Sequence, residues 1–340
     1  MKKYLKDIIR YQTKVDRDKF DIFLGQNERN TYLPDEVFDN FLASIEQTDI
    51  FQYPDLDSLH LKIANLYNVD KDNLIITPGS DNGIKTIFET FDVQGKNIIT
   101  TDYCFPMYKV YSNLFKTAIN TVEYKSMRLD IDDIINAINK DTQFIILANP
   151  NSPLGDYQSI DNIKKLLDTG VHTIIDEAYI ESTDKESCVP LINEYNNLTV
   201  LRTFSKAYGA AGMRVGSLIS SKDNITDYFS KVRAMYPINS LGVKYIEFII
   251  NHHSFFLNYF EKLKTGKKNL VEILQGQGVE LIDTDACWMF VKRTQNDKDL
   301  FEELNNQLIH VRVNTLPGQQ GDWIKLNFEP IIENYDFNFS

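Results

Sequence analysis

The sequence predicts an α/β protein: a large, mostly parallel sheet covered by helices on both faces, followed by a smaller α+β unit. Three patterns predict it. From about residue 35 to 230, apolar strand-like runs alternate with helical stretches, the order that builds βαβ units. Several of these runs are continuously apolar, as strands buried on both faces are. Beyond residue 275, short strand-like runs follow one another with one helical stretch among them, the pattern of an α+β unit. The chain therefore divides into an N-terminal arm over 1–34 that joins the smaller unit, a large domain over 35–235 and a small domain over 236–340.

Taken in order, the first 30 residues are charged and then loop-like, ending in Leu24-Gly25-Gln26-Asn27-Glu28-Arg29-Asn30. Asn73–Thr77, Asn97–Thr100, Gln143–Ala148, Thr173–Asp176, Thr199–Thr203 and Val215–Ser220 read as strands. Helical stretches such as Asn82–Phe91, Ile131–Ile138 and Ile160–Leu167 separate most of them. One long helical stretch follows, from roughly Ser240 to Gln275. Its aromatic residues Phe248, Phe255, Phe256, Tyr259 and Phe260 read as core and interface. Gly278–Ile282, Cys287–Lys292, Ile309–Val313 and Trp323–Phe328 then read as strands, with Asp299–Asn306 helical between them. No internal repeat or low-complexity segment is visible.

The chain has 340 residues and can bury a large core and a second, smaller domain. Its net charge of −12 argues against binding to nucleic acid or to an anionic membrane, which needs a basic face. A local phosphate site remains compatible with that charge. Cys104, Cys188 and Cys287 are scattered and odd in number, so they suggest neither a zinc site nor a disulfide frame and read as free buried thiols. The five histidines show no ligand spacing, so no metal is expected, and His252-His253 reads as a polar helix surface. The N-terminus has no apolar signal region and no run of 18 apolar residues occurs. A cytoplasmic protein without a membrane segment is expected.

Chemistry concentrates in a few segments. Leu201-Arg202-Thr203-Phe204-Ser205-Lys206 leads through small residues to Arg214. A lysine can condense with an aldehyde, and Thr203, Ser205 and Arg214 can hold a phosphate dianion. Together they suit a cofactor that carries both groups. His172-Thr-Ile-Ile-Asp176 is an apolar run that delivers Asp176 to a strand end, where open α/β sheets bind ligands, and Tyr179 follows three residues on. Ile76-Thr77-Pro78-Gly79-Ser80-Asp81 is a strand and a small-residue turn into a helix, whose first N–H groups attract phosphate. Each segment has a plainer reading: a surface Lys and Arg beside a loop, or an Asp capping a helix.

Three further segments point the same way: Phe51-Gln52-Tyr53-Pro54-Asp55, Tyr103-Cys104-Phe105-Pro106-Met107-Tyr108 and Asn149-Pro150-Asn151-Ser152-Pro153-Leu154-Gly155. With the three above, they resemble in chain order the pyridoxal phosphate (PLP) aminotransferases of fold type I. The resemblance covers nearly the whole chain and is closest to the histidinol-phosphate aminotransferase branch. It implies a seven-stranded, mostly parallel sheet in the large domain, and PLP as cofactor. Lys206 would carry the cofactor and act as general base, and Asp176 would keep the pyridine nitrogen protonated. Tyr179 would bond the ring's phenolic oxygen, and Phe105 would stack on the ring. Gly79, Ser80, Asp81, Thr203, Ser205 and Arg214 would take the phosphate. Tyr53 would reach the phosphate of the neighbouring subunit, which implies a homodimer with shared active sites.

At the substrate end, Arg312 matches the arginine of that branch that contacts substrate phosphate. Lys325, in Trp323-Ile324-Lys325-Leu326-Asn327, replaces a second arginine. Lysine is a point charge without a planar fork, so the exchange is not conservative. Ser152 stands where the family's ring-contacting Asn precedes Pro, which implies either a weaker bond to the ring oxygen or one from Asn151. Arg29 stands where Asn is usual, a glycine after the Lys325 strand is missing, and Glu329–Ser340 replaces the usual last helix. The implied activity is transfer of an amino group from an amino acid, glutamate or alanine, to a phosphorylated ketone. Imidazole acetol phosphate and the smaller dihydroxyacetone phosphate are the acceptors considered, and the diverged small domain favours the smaller. A PLP-dependent decarboxylase of an amino-acid phosphate is the alternative. A non-catalytic regulatory module is disfavoured by the intact Lys206 and Asp176, and by the lack of a helix-turn-helix segment before residue 30.

Overall fold

A computed structural model describes residues 1–10, 16–293 and 300–334. Among them the strands are β1 (Ile22–Phe23), β2 (Leu74–Thr77), β3 (Asn97–Thr101), β4 (Ala118–Val122), β5 (Thr142–Ala148), β6 (His172–Asp176), β7 (Leu198–Thr203), β8 (Gly216–Ser220), β9 (Leu281–Asp283), β10 (Trp288–Lys292), β11 (Ile309–His310), β12 (Arg312–Asn314) and β13 (Trp323–Asn327). The α-helices of six or more residues are α1 (Asp35–Ala43), α2 (Asp57–Leu66), α3 (Gly79–Thr90), α4 (Pro106–Phe115), α5 (Ile131–Asn136), α6 (Ile160–Leu167), α7 (Ser240–Asn251), α8 (His253–Gly276) and α9 (Leu300–Asn306).

Seven strands form one sheet in the order β2-β8-β7-β6-β5-β3-β4. β8 runs antiparallel to both its neighbours, and the other adjacent pairs are parallel. The continuous apolar runs of β5 and β6 serve two cores at once. Ile145, Leu147 and Ile175 join one buried cluster, while Phe144, Ile146 and Ile174 join another, because successive side chains leave a strand on opposite faces. Local sequence starts the covering helices. Asp130 accepts from the Asp132 N–H at the head of α5, and Ser159 accepts from the Asn162 N–H at the head of α6. Pro106 opens α4, where its missing N–H costs nothing.

The small unit is an antiparallel sheet in the order β12-β13-β10-β9, in which Arg312 lies directly opposite Lys325. The arm joins this unit: β1 pairs in parallel with β11, Ile22 opposite Ile309. Two bonds tie the small unit to the turn after β5. Trp288 Nε1 donates to the Pro153 carbonyl (2.8 Å) and the Asp285 N–H to the Gly155 carbonyl (2.9 Å). Among the described residues no helix is long and apolar enough to cross a membrane.

Several elements differ from the sequence reading. The stretch from Ser240 to Gln275 is two helices, not one, because His252 leaves the helical region (φ −108°, ψ 29°). His252 and His253 therefore sit at a break, with His253 half-buried against Tyr208. Ile309–Val313 is split at Val311 into β11 and β12, and the strand expected at Gly278–Ile282 is Leu281–Asp283. The sheet also contains β4, an edge strand. Cys188 and Cys287 are buried, but Cys104 is only partly so. After Phe328 the described chain forms a short 3-10 turn, Pro330–Asn334. Residue Asp299 lies outside the described residues.

Candidate active site

A cavity of about 380 Å³ opens where the carboxyl ends of β6 and β7 face the small unit. Gly25, Gln26, Asn27, Cys104, Phe105, Pro106, Ser152, Pro153, Tyr179, Lys206, Arg312, Asn314 and Lys325 line it. The arm, the large sheet and the small sheet each supply a wall. Among the described residues the lining contains three basic side chains, Lys206, Arg312 and Lys325, and no carboxylate.

Lys206 follows β7 in a turn and points its Nζ at the Gln26 carbonyl, 3.1 Å away. Asp176 ends β6 and is buried (4% exposed). Tyr108 Oη donates to its Oδ2 (2.9 Å) and the Ala178 N–H to its Oδ1 (3.2 Å). Burial pushes the Asp176 carboxyl up to about 6, against the opposing pull of Tyr108, the Ala178 N–H and Lys206. Tyr108 is itself buried, and its hydroxyl is pushed well above its ordinary value by that burial and then by Asp176. It stays a neutral donor. Sequence reasoning quoted Tyr108 but assigned it no part. A tyrosine one helical turn after Phe105, at the head of a helix that faces β6, was the available signal.

The phosphate-side residues gather beside this cavity, at the N-terminus of the 12-residue helix α3. Gly79 is in the left-handed region (φ 75°), and a Cβ there would come within 2.7 Å of the Arg214 guanidinium. Gly216 lies against the same turn: a Cβ on it would meet the Gly79 carbonyl carbon and the Ser80 nitrogen at 2.6 Å. Thr203 is the register partner of Gly216, and its Oγ1 accepts from the Ser205 N–H (3.1 Å). So α3, Thr203, Ser205 and Arg214 meet at one point, with backbone N–H groups and a cation turned to it. The Asp81 carboxylate takes the Tyr111 hydroxyl (3.2 Å), which leaves the Asp81 backbone N–H as its group for an anion.

The turn after β5 divides its work. Asn151 is spent on the fold: its Nδ2 donates to the Tyr103 carbonyl (2.9 Å) and its Oδ1 accepts from the Leu154 N–H (3.0 Å). Ser152 is the polar side chain of that turn that lines the cavity. Phe105 lines it too, edge-on to Tyr108. Cys104 is a neutral thiol there, pushed up to about 11 by burial. Tyr53 is not brought in. It is 77% exposed and stacks on Tyr236, ring centroids 4.2 Å apart.

Lys325 is buried on β13. Its Nζ lies 3.7 Å from the centre of the Trp288 ring and donates to Asn27 Oδ1 (2.8 Å). Burial lowers its amine to about 7, Lys206 and Arg312 adding to the effect and Cys287 opposing it. The other end of the Asn27 carboxamide, Nδ2, donates to Tyr179 Oη (3.1 Å). The sequence places Asn27 in a loop-like stretch that resembles the family's Asn-Glu-Asn entry strand and assigns it no role, since its partners lie far along the chain. Arg29 is placed outside the cavity, its guanidinium 3.8 Å from the Tyr259 ring centre and its Nε on the Thr31 carbonyl.

The arrangement fits a cofactor with an aldehyde, a ring that needs a buried carboxylate, and a phosphate. Gly79 and Gly216 let the Arg214 guanidinium, the head of α3 and β8 approach within distances that a Cβ would block, and the donors gathered there are the chemistry a phosphate needs.

Comparison with known proteins agrees. The family model for aminotransferase class I and II matches residues 21–334. A histidinol-phosphate aminotransferase of Clostridium botulinum (strain Kyoto / Type A2) is 32% identical over 308 residues, 87% of this chain and 84% of that protein. Histidinol-phosphate aminotransferase 1 of Carboxydothermus hydrogenoformans is 28% identical over 319 residues, 93% of this chain and 90% of that protein. Among solved structures, histidinol-phosphate aminotransferase from Sinorhizobium meliloti in complex with pyridoxal-5'-phosphate has a TM-score of 0.84 at 18% identity, covering 97% of this chain and 93% of that one. L-threonine-O-3-phosphate decarboxylase from Porphyromonas gingivalis has a TM-score of 0.75 at 18% identity, covering 92% and 96%. At these identities both structures speak for the fold.

Proposed function

The chain belongs to the aminotransferase class I and II family and is a PLP-dependent enzyme with the type I fold; on that premise we propose that it transfers an amino group from an amino acid, glutamate or alanine, to a small phosphorylated ketone. Dihydroxyacetone phosphate and imidazole acetol phosphate are the acceptors of that class to try first. The observation that carries this reading is the cationic pair Arg312 and Lys325, opposite each other on adjacent strands in a cavity with no lining carboxylate. A desolvated dianion needs paired positive donors.

Bound PLP supplies an electron sink for the carbanion formed at the substrate Cα. The protein's own groups do the rest. Lys206 would hold the aldehyde through its Nζ and, when free, would carry the proton of the substrate Cα. Asp176, aimed by Tyr108 and the Ala178 N–H, keeps a negative charge ready for the ring nitrogen. Tyr179 and Ser152 would offer hydroxyls to the ring, and Phe105 would pack on it. The head of α3, with Gly79, Ser80 and the Asp81 N–H, would take the phosphate together with Thr203, Ser205 and Arg214.

The same proposal includes a homodimer with shared sites. Tyr53 is exposed, and Phe38, Leu42, Phe51, Met235 and Leu241 are exposed apolar residues on the same or neighbouring segments. A second subunit would cover them and receive Tyr53. The division into arm 1–34, large domain 35–235 and small domain 236–340 is supported by the separate sheets and by the β1–β11 pairing. Three unpaired cysteines support a reducing compartment, the cytoplasm.

A screen of amino donors against phosphorylated and unphosphorylated ketones tests the reading. Phosphorylated ketones should turn over best. Arg312→Ala should raise their KM by roughly 2–5 kcal/mol in binding terms, about thirtyfold or more, with PLP retained. Equal turnover of unphosphorylated keto acids, with Arg312→Ala silent, would favour a general amino-acid aminotransferase. Release of carbon dioxide in place of a keto product would favour the decarboxylase.

A further inference from the structure

Asn27 joins the two halves of the cavity with one side chain. Its backbone is left-handed (φ 53°) at the end of the 3-10 turn Leu24–Gln26, a conformation that Asn tolerates better than most residues. Its carboxamide reaches Tyr179 on the cofactor side and Lys325 on the substrate side, at 3.1 and 2.8 Å. We propose that Asn27 is a positioning residue that transmits anion binding at Lys325 to the hydroxyl of Tyr179. The proposal rests on the anionic-substrate reading above.

The argument follows from which atoms can donate. Lys325 faces Arg312 on β12, Lys206 after β7, the Cys287 thiol, the Trp288 ring and the Asn27 carboxamide. Among the described residues no carboxylate lines the cavity it enters. Burial, with Lys206 and Arg312, lowers its amine to about 7, so both its charged and its uncharged forms are accessible near neutrality. An anion seated beside Arg312 favours the charged form, with one proton taken up from solvent. A charged ammonium has only donors, so it must face the carboxamide oxygen. The Asn27 NH2 is then committed to Tyr179, whose oxygen accepts from it. The phenolic O–H must then turn elsewhere, and Tyr179 lines the cavity. An uncharged amine keeps a lone pair and imposes no such direction. Charge at Lys325 thus fixes which way the Tyr179 proton points. The rings around them are held: Tyr179 packs edge-on to Trp288, centroids 5.0 Å apart.

The test compares wild-type holoenzyme with Asn27→Gly, since glycine holds a positive φ without strain. Inorganic phosphate is the probe. Calorimetry in two buffers of different ionisation enthalpy counts the protons taken up. The visible absorbance of the holoenzyme, titrated with and without phosphate, reports on the ring side. In the wild type at pH 8, phosphate should bind with proton uptake, and it should move the absorbance midpoint by roughly half a pH unit or more. In Asn27→Gly, phosphate should still bind, weakened by no more than about tenfold, and the movement of the midpoint should vanish. In Asn27→Asp the new carboxylate should hold Lys325 charged beforehand, so phosphate should bind more weakly and with less proton uptake. Equal midpoint shifts in the wild type and Asn27→Gly, or unchanged proton uptake in Asn27→Asp, would overturn the coupling and leave the substrate reading standing. Failure of phosphate to bind the wild type, or binding that Arg312→Ala leaves unaltered, would overturn both.

Discussion

Asp176 and Lys325 are both buried in one site, and burial moves each of them toward its uncharged form. At Asp176 the Tyr108 hydroxyl opposes that drift. Tyr108→Phe should raise the carboxyl further, so the acidic limb of the kcat–pH profile should move to higher pH, with PLP retained. Asp176→Asn should keep the cofactor and lose on the order of a hundredfold or more in kcat, since an amide cannot balance a pyridinium charge. Near-normal turnover would reduce Asp176 to a fold residue. At Lys325 the direction is opposite. The folded chain holds its amine near 7, against an ordinary 10.5. Below 7 the folded chain carries the full cost of a buried charge. Between 7 and 10.5 it binds fewer protons than the unfolded chain, so this group's contribution to stability improves as pH rises. Lys325→Met should therefore stabilise the ligand-free protein most at pH 6, on the order of 3–5 kcal/mol. The gain should shrink by pH 10, as read by denaturant unfolding at both values.

At the scale of elements, the close contact of β8 with the head of α3 shapes the proposed phosphate cradle. Gly216→Ala would place a methyl group 2.6 Å from the Gly79 and Ser80 backbone. It should destabilise the fold by roughly 1–3 kcal/mol and weaken PLP binding, measured by unfolding and by cofactor titration. An unchanged PLP affinity would show that the cradle is set elsewhere. The strands legible in the sequence were the ones buried on both faces, such as Phe144–Leu147 and Thr173–Asp176. β4, Ala-Ile-Asn-Thr-Val, lies at a sheet edge with no fully buried residue, so it carries no apolar run to read. The break at His252 was hidden because the apolar spacing continues across it. The lysine, the strand-end Asp and the small-residue turn were legible since each has its motif within a few residues. Tyr108 and Asn27 were not, because their partners lie 68, 152 and 298 residues away.

At the scale of the whole molecule, the proposed dimer would cover the exposed Tyr53 and its apolar neighbours. Mixing inactive Tyr53→Ala and Lys206→Ala variants should restore part of the activity, because one hybrid site would then be intact. A fully active monomer in sedimentation would rule out the shared site. Lys206→Ala alone should abolish borohydride fixation of the cofactor to the protein, and a label on another lysine would move the attachment point.

The pairing of β1 with β11 also sets a timetable for the newborn chain. Ile22 is made before every strand of the large sheet and Ile309 after all of them, and Asn27 and Lys325 are separated in the same way. The large sheet can form in the meantime, with Lys206 and Asp176 in place. The residues of the proposed cofactor site on β6 and β7 can thus be in place before the proposed substrate residues Arg312 and Lys325 have been made.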